Sequence, residues 1–128
     1  ETLRQLHAEI VNRNGTAIIL HVNLLNEEER TQIIARFRRQ MEDEYSEFIE
    51  ECGEFHAELT KERARHHLTY GELEENDVDL GKLRLWLPKL RVRDFFQVDT
   101  ATKAAEALES CEADFSRFES EVEEASKG

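Results

Sequence analysis

Residues 26–67 read NEEERTQIIARFRRQMEDEYSEFIEECGEFHAELTKERARHH, and this stretch decides the fold. Asn26 followed by Glu27, Glu28 and Glu29 is a helix-start signature. The Asx side chain caps the first free N–H groups, and the carboxylates sit where the helix dipole is positive. No proline interrupts the stretch, and Gly53 is its one glycine. Apolar residues fall at Ile33, Phe37, Met41, Tyr45, Phe48, Cys52, Phe55 and Leu59, in steps of 4, 4, 4, 3, 4, 3 and 4. That is close to a heptad seam. The spacing predicts one helix of about 40 residues, ~60 Å long. An elongated bundle, or a bundle with an overhanging arm, is the expected shape.

Downstream, Thr69-x-x-Glu72 is a second capping box and opens a short helix at about residues 70–75. Asn76-Asp77-Val78-Asp79 reads as the cap of another, in which Leu80, Leu83, Leu87 and Leu90 keep helical spacing with Trp86 beside them. Pro88 removes a backbone donor there, so a kink or an end near Leu87 is expected. Asp99 or Thr100 caps the last helix, residues 101–126. Its stripe is Ala104, Leu108, Cys111, Phe115, Phe118 and Val122, in steps of 4, 3, 4, 3 and 4. The two complementary stripes lead us to expect the long and last helices to pack antiparallel.

Upstream, residues 2–14 form an amphipathic pattern, with Leu3, Leu6, Ile10 and Val11 on one face and Asn14-Gly15 as a stop. The run from Thr16 to Leu25, with Ala17-Ile18-Ile19-Leu20 and Val22 inside it, reads as a strand. One strand cannot satisfy its own backbone. It pairs with another chain or with strands that precede Glu1, and the second is the better account. The expected division is a helix-strand piece over residues 1–25 and a helical bundle over residues 26–128.

Composition agrees with a mainly helical protein. The 128 residues include only 5 Gly and 1 Pro, too few turn-formers for a sheet-rich domain. No apolar run is long enough to span a bilayer, so no membrane role is expected. Lys plus Arg number 17 against 29 Asp plus Glu, a formal charge of −12. Phosphate backbones demand net positive surface, so this chain alone does not clamp nucleic acid. The charge is segmented: residues 42–58 hold eight carboxylates and no Lys or Arg, whereas residues 82–93 hold Lys82, Arg84, Lys89, Arg91 and Arg93 and no acid. Cys52 and Cys111 both fall on apolar stripes and match no zinc spacing. They are expected to be buried free thiols in a reducing cytoplasm.

No catalytic pattern is present: no HExxH, no GxSxG, no glycine-rich phosphate loop and no dinucleotide fingerprint. No histidine has a glutamate three positions before it, which removes the di-iron bundle signature. The chain is therefore expected not to be an enzyme and to carry no cofactor and no metal-ligand set. The carboxylates at 42–58 are expected to form a solvated face, ahead of divalent-metal binding between helices. His66 and His67 follow Arg63 and Arg65 near the end of the long helix. There they either complement the helix dipole or form an anion or partner contact. Arg91-Val92-Arg93-Asp94-Phe95-Phe96 is the most distinctive run. Arg91 and Arg93 are forked donors suited to carboxylates or to a tetrahedral oxyanion, and internal carboxylates are the default partners in an acidic chain. Trp86, Phe95 and Phe96 are expected in the core.

Taken in order, Leu25-Asn26-Glu27-Glu28-Glu29, Arg36-Phe37-Arg38, Asp43-Glu44-Tyr45, Leu68-Thr69-Tyr70-x-Glu72-Leu73-Glu74-Glu75-Asn76, Lys82-Leu83-Arg84-x-Trp86-Leu87 and Arg91-x-Arg93-Asp94-Phe95-Phe96 resemble the amino-terminal region of ChrB proteins, the chromate-resistance regulators. The likeness covers most of residues 1–120. It implies that residues 1–25 are the closing α-β of a ferredoxin-like unit, similar to the middle domain of PaaX-type repressors. The DNA-contacting and chromate-sensing residues of that family have no matching positions here. The resemblance implies a helical assembly or dimerisation module of a chromate-responsive transcriptional regulator, in which the long seam is buried on self-association and the 82–93 basic segment meets acidic faces. Its partners would be a second copy of the chain, and DNA only through a basic segment upstream of it. The alternative is a metal- or oxyanion-binding protein of chromate detoxification, resting on Arg63, Arg65, His66, His67, Arg91 and Arg93.

Overall fold

The computed structural model describes residues 26–128. The expected helix at 2–14 and strand at 16–24, and with them the ferredoxin-like appendage, lie outside the described residues. Among the described residues there are three helices and no strand: α1 (Glu27–Ala64), α2 (Tyr70–Arg93) and α3 (Thr100–Lys127).

The long helix forms as its sequence dictates. Asn26 Oδ1 accepts from the Glu29 N–H at 2.8 Å, and the Glu29 carboxylate reaches back to the Asn26 amide. Lys61 and Arg63 occupy the last turn, where they complement the negative end of the dipole. At 38 residues α1 is ~57 Å long. Its seam becomes buried only from Met41 onward, and no residue from Glu27 to Gln40 is buried. The amino-terminal third of α1 is thus an arm that the other described helices do not cover.

The second helix departs from expectation. Thr69 caps it, its hydroxyl accepting from the Glu72 N–H at 3.2 Å. Asn76 does not start a new helix. It lies inside α2, 2% exposed, and its amide donates to the Glu72 carbonyl at 2.7 Å. An Asx side chain competes with helix geometry only when it can reach a free N–H; here it turns back on a carbonyl, and α2 runs unbroken. Nor does α2 end near Leu87. It passes Pro88 and continues to Arg93. Pro88 sits on the exposed face, where water can serve the carbonyl it leaves without a donor, while Leu83, Leu87 and Leu90 anchor the opposite face in the core.

The three helices pack against one another pairwise. Tyr45, Phe48, Cys52, Phe55 and Leu59 of α1 meet Leu80, Leu83, Leu87 and Leu90 of α2 and Ala104, Cys111, Phe115, Phe118 and Val122 of α3. Full burial of one of these leucine or phenylalanine side chains contributes about 1.5–3 kcal/mol. Trp86 packs edge-on to Phe48, ring centroids 5.2 Å apart.

The contacts fix the directions. Cys111 Sγ donates to the Cys52 carbonyl, Phe115 meets Phe55, and Glu121 meets Arg63, so residue numbers rise together along α1 and α3. The long and last helices are parallel, not antiparallel as their stripes alone suggested. The antiparallel neighbour of both is α2: Trp86 meets Phe48, Arg93 meets Glu44, and Arg84 meets Glu112. Two short connections force this up-down-up order, because each reverses the chain.

Candidate functional site

The basic residues singled out above turn to carboxylates or to solvent and do not gather at one place. Arg63 turns inward. It binds Asp114 at 2.8 Å and Glu121 at 2.8 Å, and its guanidinium lies over the Phe118 ring. Arg65 and His66 are exposed, and His66 adopts φ 59, in the left-handed region. His67 turns to an acid: its Nδ1 lies 3.0 Å from Glu62 Oε2. Arg93 pairs with Glu44 at 2.8 Å, at a point ~28 Å along α1 from Arg63. Arg91 is exposed and makes no ion pair among the described residues. Arg63, Arg65, His66 and His67 therefore do not converge on one anion, and Arg91 and Arg93 belong to the opposite end of the bundle.

The Arg91–Phe96 run instead shapes the α2–α3 turn. Asp94 accepts from the Tyr45 hydroxyl at 3.0 Å and from the Val98 N–H at 3.1 Å. Burial, together with that bond to Asp94, pushes the Tyr45 phenol up to about 12. Phe96 packs against the core, Phe95 is 49% exposed, and Arg38 stacks on Phe96.

Two further groups of polar side chains lie at helix interfaces. Asp114 is nearly sealed between α1 and α3 and accepts from His56 at 2.7 Å, Arg63 at 2.8 Å and Arg117 at 3.1 Å. Burial pushes its carboxyl up, but these three donors outweigh it and hold the group below the usual carboxylate range. The second group stands where α1 ends and α2 begins. One ligand atom from each of Glu62, His67 and Glu72 lies within 4.8 Å of the others. Burial, then the charges of Glu62 and Glu75, push the Glu72 carboxyl up. From this corner an acidic groove of about 470 Å³ runs between α1 and α2, lined by Glu51, Glu54, Glu58, Glu72, Glu75 and Asp79 over Phe55 and Trp86.

Sequence reading passed over Asp114, His56 and Glu62, and took Glu72 only as part of a capping box. A signal existed for two of them: Glu62 is the seam position after Leu59, and Asp114 lies inside the stripe between Cys111 and Phe118. An acid where the periodicity requires an apolar residue marks a buried polar contact. Both cysteines are buried and free, and the Cys52 sulfur together with burial pushes the Cys111 thiol up.

No curated protein and no solved structure matches the chain. The family model described as Protein ChrB, N-terminal, matches residues 1–128. In agreement with the ordered series of motifs from Leu25 to Phe96, the chain belongs to the ChrB amino-terminal family.

Proposed function

We propose that this chain is the helical assembly module of a chromate-responsive transcriptional regulator of the ChrB type, acting in the cytoplasm and carrying no catalytic residue. It brings two copies together and positions a DNA-binding portion outside these residues. The observation that carries the reading is on α2. Val78, Leu85 and Val92 recur at seven-residue steps and are 60%, 69% and 86% exposed. An apolar stripe at heptad spacing on a helix that already buries its other face suits a second helix. From Met41 to Leu59 the α1 seam cannot serve, because α2 and α3 of the same chain cover it. Much of the 82–93 basic segment is likewise spoken for: Lys82 by Asp79, Arg84 by Glu112 and Arg93 by Glu44. The net charge of −12 supports delegating DNA contact to another portion. No helix among the described residues is long and apolar enough to cross a membrane.

Light scattering across micromolar to millimolar chain concentrations tests this. A mass of two chains or more is expected, falling to one chain in Leu85→Asp with helicity and melting temperature unchanged. A single-chain mass at every concentration would overturn the assembly role.

A further inference from the structure

We propose that Glu62, His67 and Glu72 form a binding site for one divalent first-row transition-metal ion at the corner between α1 and α2. The site is independent of the self-association reading, since its occupancy is measured whatever the mass of the particle.

His67 Nδ1 and Glu62 Oε2 are 3.0 Å apart, and a Glu72 oxygen completes a triangle no wider than 4.8 Å. Ligands held ~2.1 Å from one ion stand some 3–4 Å from each other, so a modest rotation of the half-buried Glu72 side chain closes the set. The backbone holds the three residues in place. The His67 N–H donates to the Glu62 carbonyl at 2.9 Å, the His66 N–H donates to the Arg63 carbonyl at 3.2 Å, and His66 takes the left-handed conformation that reverses the chain. Thr69 caps α2 through the Glu72 N–H, which fixes Glu72 in the first turn.

Glu62 is 4% exposed, and a carboxylate so far out of water requires a compensating cation or several donors. Among the described residues its ion-pair partner is His67 alone. Arg63, its sequence neighbour, is committed to Asp114 and Glu121. Glu72 and Glu75 crowd the same corner, and burial with the charges of Glu62 and Glu75 makes the Glu72 charge costly. A divalent ion relieves that repulsion. The acidic groove that opens on Glu72 gives such an ion a favourable approach.

The donor set defines the ion. One imidazole nitrogen with two carboxylate oxygens suits zinc, ferrous iron, manganese or nickel better than calcium or magnesium, whose ligands are all oxygen. Three protein ligands leave positions for water. The ion would tie the last turn of α1 to the first turn of α2.

Calorimetric titration of the full chain with Zn²⁺, and visible absorbance with Co²⁺, test the site. One ion per chain is expected. His67→Ala and Glu72→Gln, both at accessible positions, should each weaken binding at least about tenfold with helicity unchanged. Glu51→Gln, in the groove but outside the triad, should bind as the parent chain does. No saturable binding at millimolar metal would overturn the site. So would binding that survives His67→Ala and Glu72→Gln but is lost in Glu51→Gln, since the ion would then sit on the groove carboxylates.

Discussion

Two buried carboxylates, Asp114 and Glu62, lie at the same end of the bundle, 3% and 4% exposed. Their surroundings differ. Asp114 accepts from two arginines and a histidine, and its partners come from both helices that enclose it. Glu62 has a single histidine from the loop beyond its own helix, and two further carboxylates nearby. Burial costs a charge several kcal/mol, and only close cations or multiple donors offset that cost. Asp114 is therefore a structural hub that locks α1 to α3. Glu62 is under-compensated, and such a group marks a place where something else binds. Asp94 is a third case: neutral donors, the Tyr45 hydroxyl and the Val98 N–H, satisfy it.

Neutralising each carboxylate without changing its shape separates the hub from the under-compensated group. Asp114→Asn should cost the most, about 3 kcal/mol by chemical denaturation, because it strands the partly buried Arg63. A loss below about 1 kcal/mol would remove Asp114 as a hub. The pH dependence has a defined sign. The folded Asp114 carboxyl lies below the usual range, so its contribution is present above that range and is lost as pH falls through the folded value. Acid unfolding of Asp114→Asn should lack that part of the slope.

The Tyr45–Asp94 contact should show the next largest effect, at the alkaline end. The folded phenol, at about 12, lies above its ordinary 10.0. Stability is then fully present below pH 10 and is lost as pH rises toward 12, by about 2–3 kcal/mol. Tyr45→Phe should flatten that limb of the stability–pH curve, and an unchanged limb would assign it to another group. The smallest effect belongs to Glu62→Gln, within about 1 kcal/mol of the parent chain, because removing an under-compensated buried charge relieves as much as it loses. A cost equal to that of Asp114→Asn would erase the difference between the two sites.

Much of the fold was legible in the text. The caps at Asn26 and Thr69, and the stripes from Met41 to Leu59 and from Ala104 to Val122, are local patterns, and the helices obey them. The two failures within α2 share one cause. Asn76 reads locally as a cap and Pro88 as a breaker, yet both lie within a helix whose Leu80, Leu83, Leu87 and Leu90 are held in the core. Tertiary packing overrode propensities of only ~1–3 kcal/mol. The candidate site was half legible. His67 was singled out, but as a base beside arginines, whereas its partners are Glu62, one turn back along the chain, and Glu72, in the next helix.

The long helix, its seam, the free thiols and the family follow from the sequence, because periodicity and capping act over a few residues and the motifs occur in order. Packing of the three helices sets the rest: α1 and α3 run parallel, the seam from Met41 onward is covered from within the chain, Arg63 turns to Asp114, and Glu62, His67 and Glu72 meet. Stripe spacing is the same read in either direction, so it carries no sign for helix polarity. The two reversals of the chain supply that sign, and they bring together side chains that no local pattern connects.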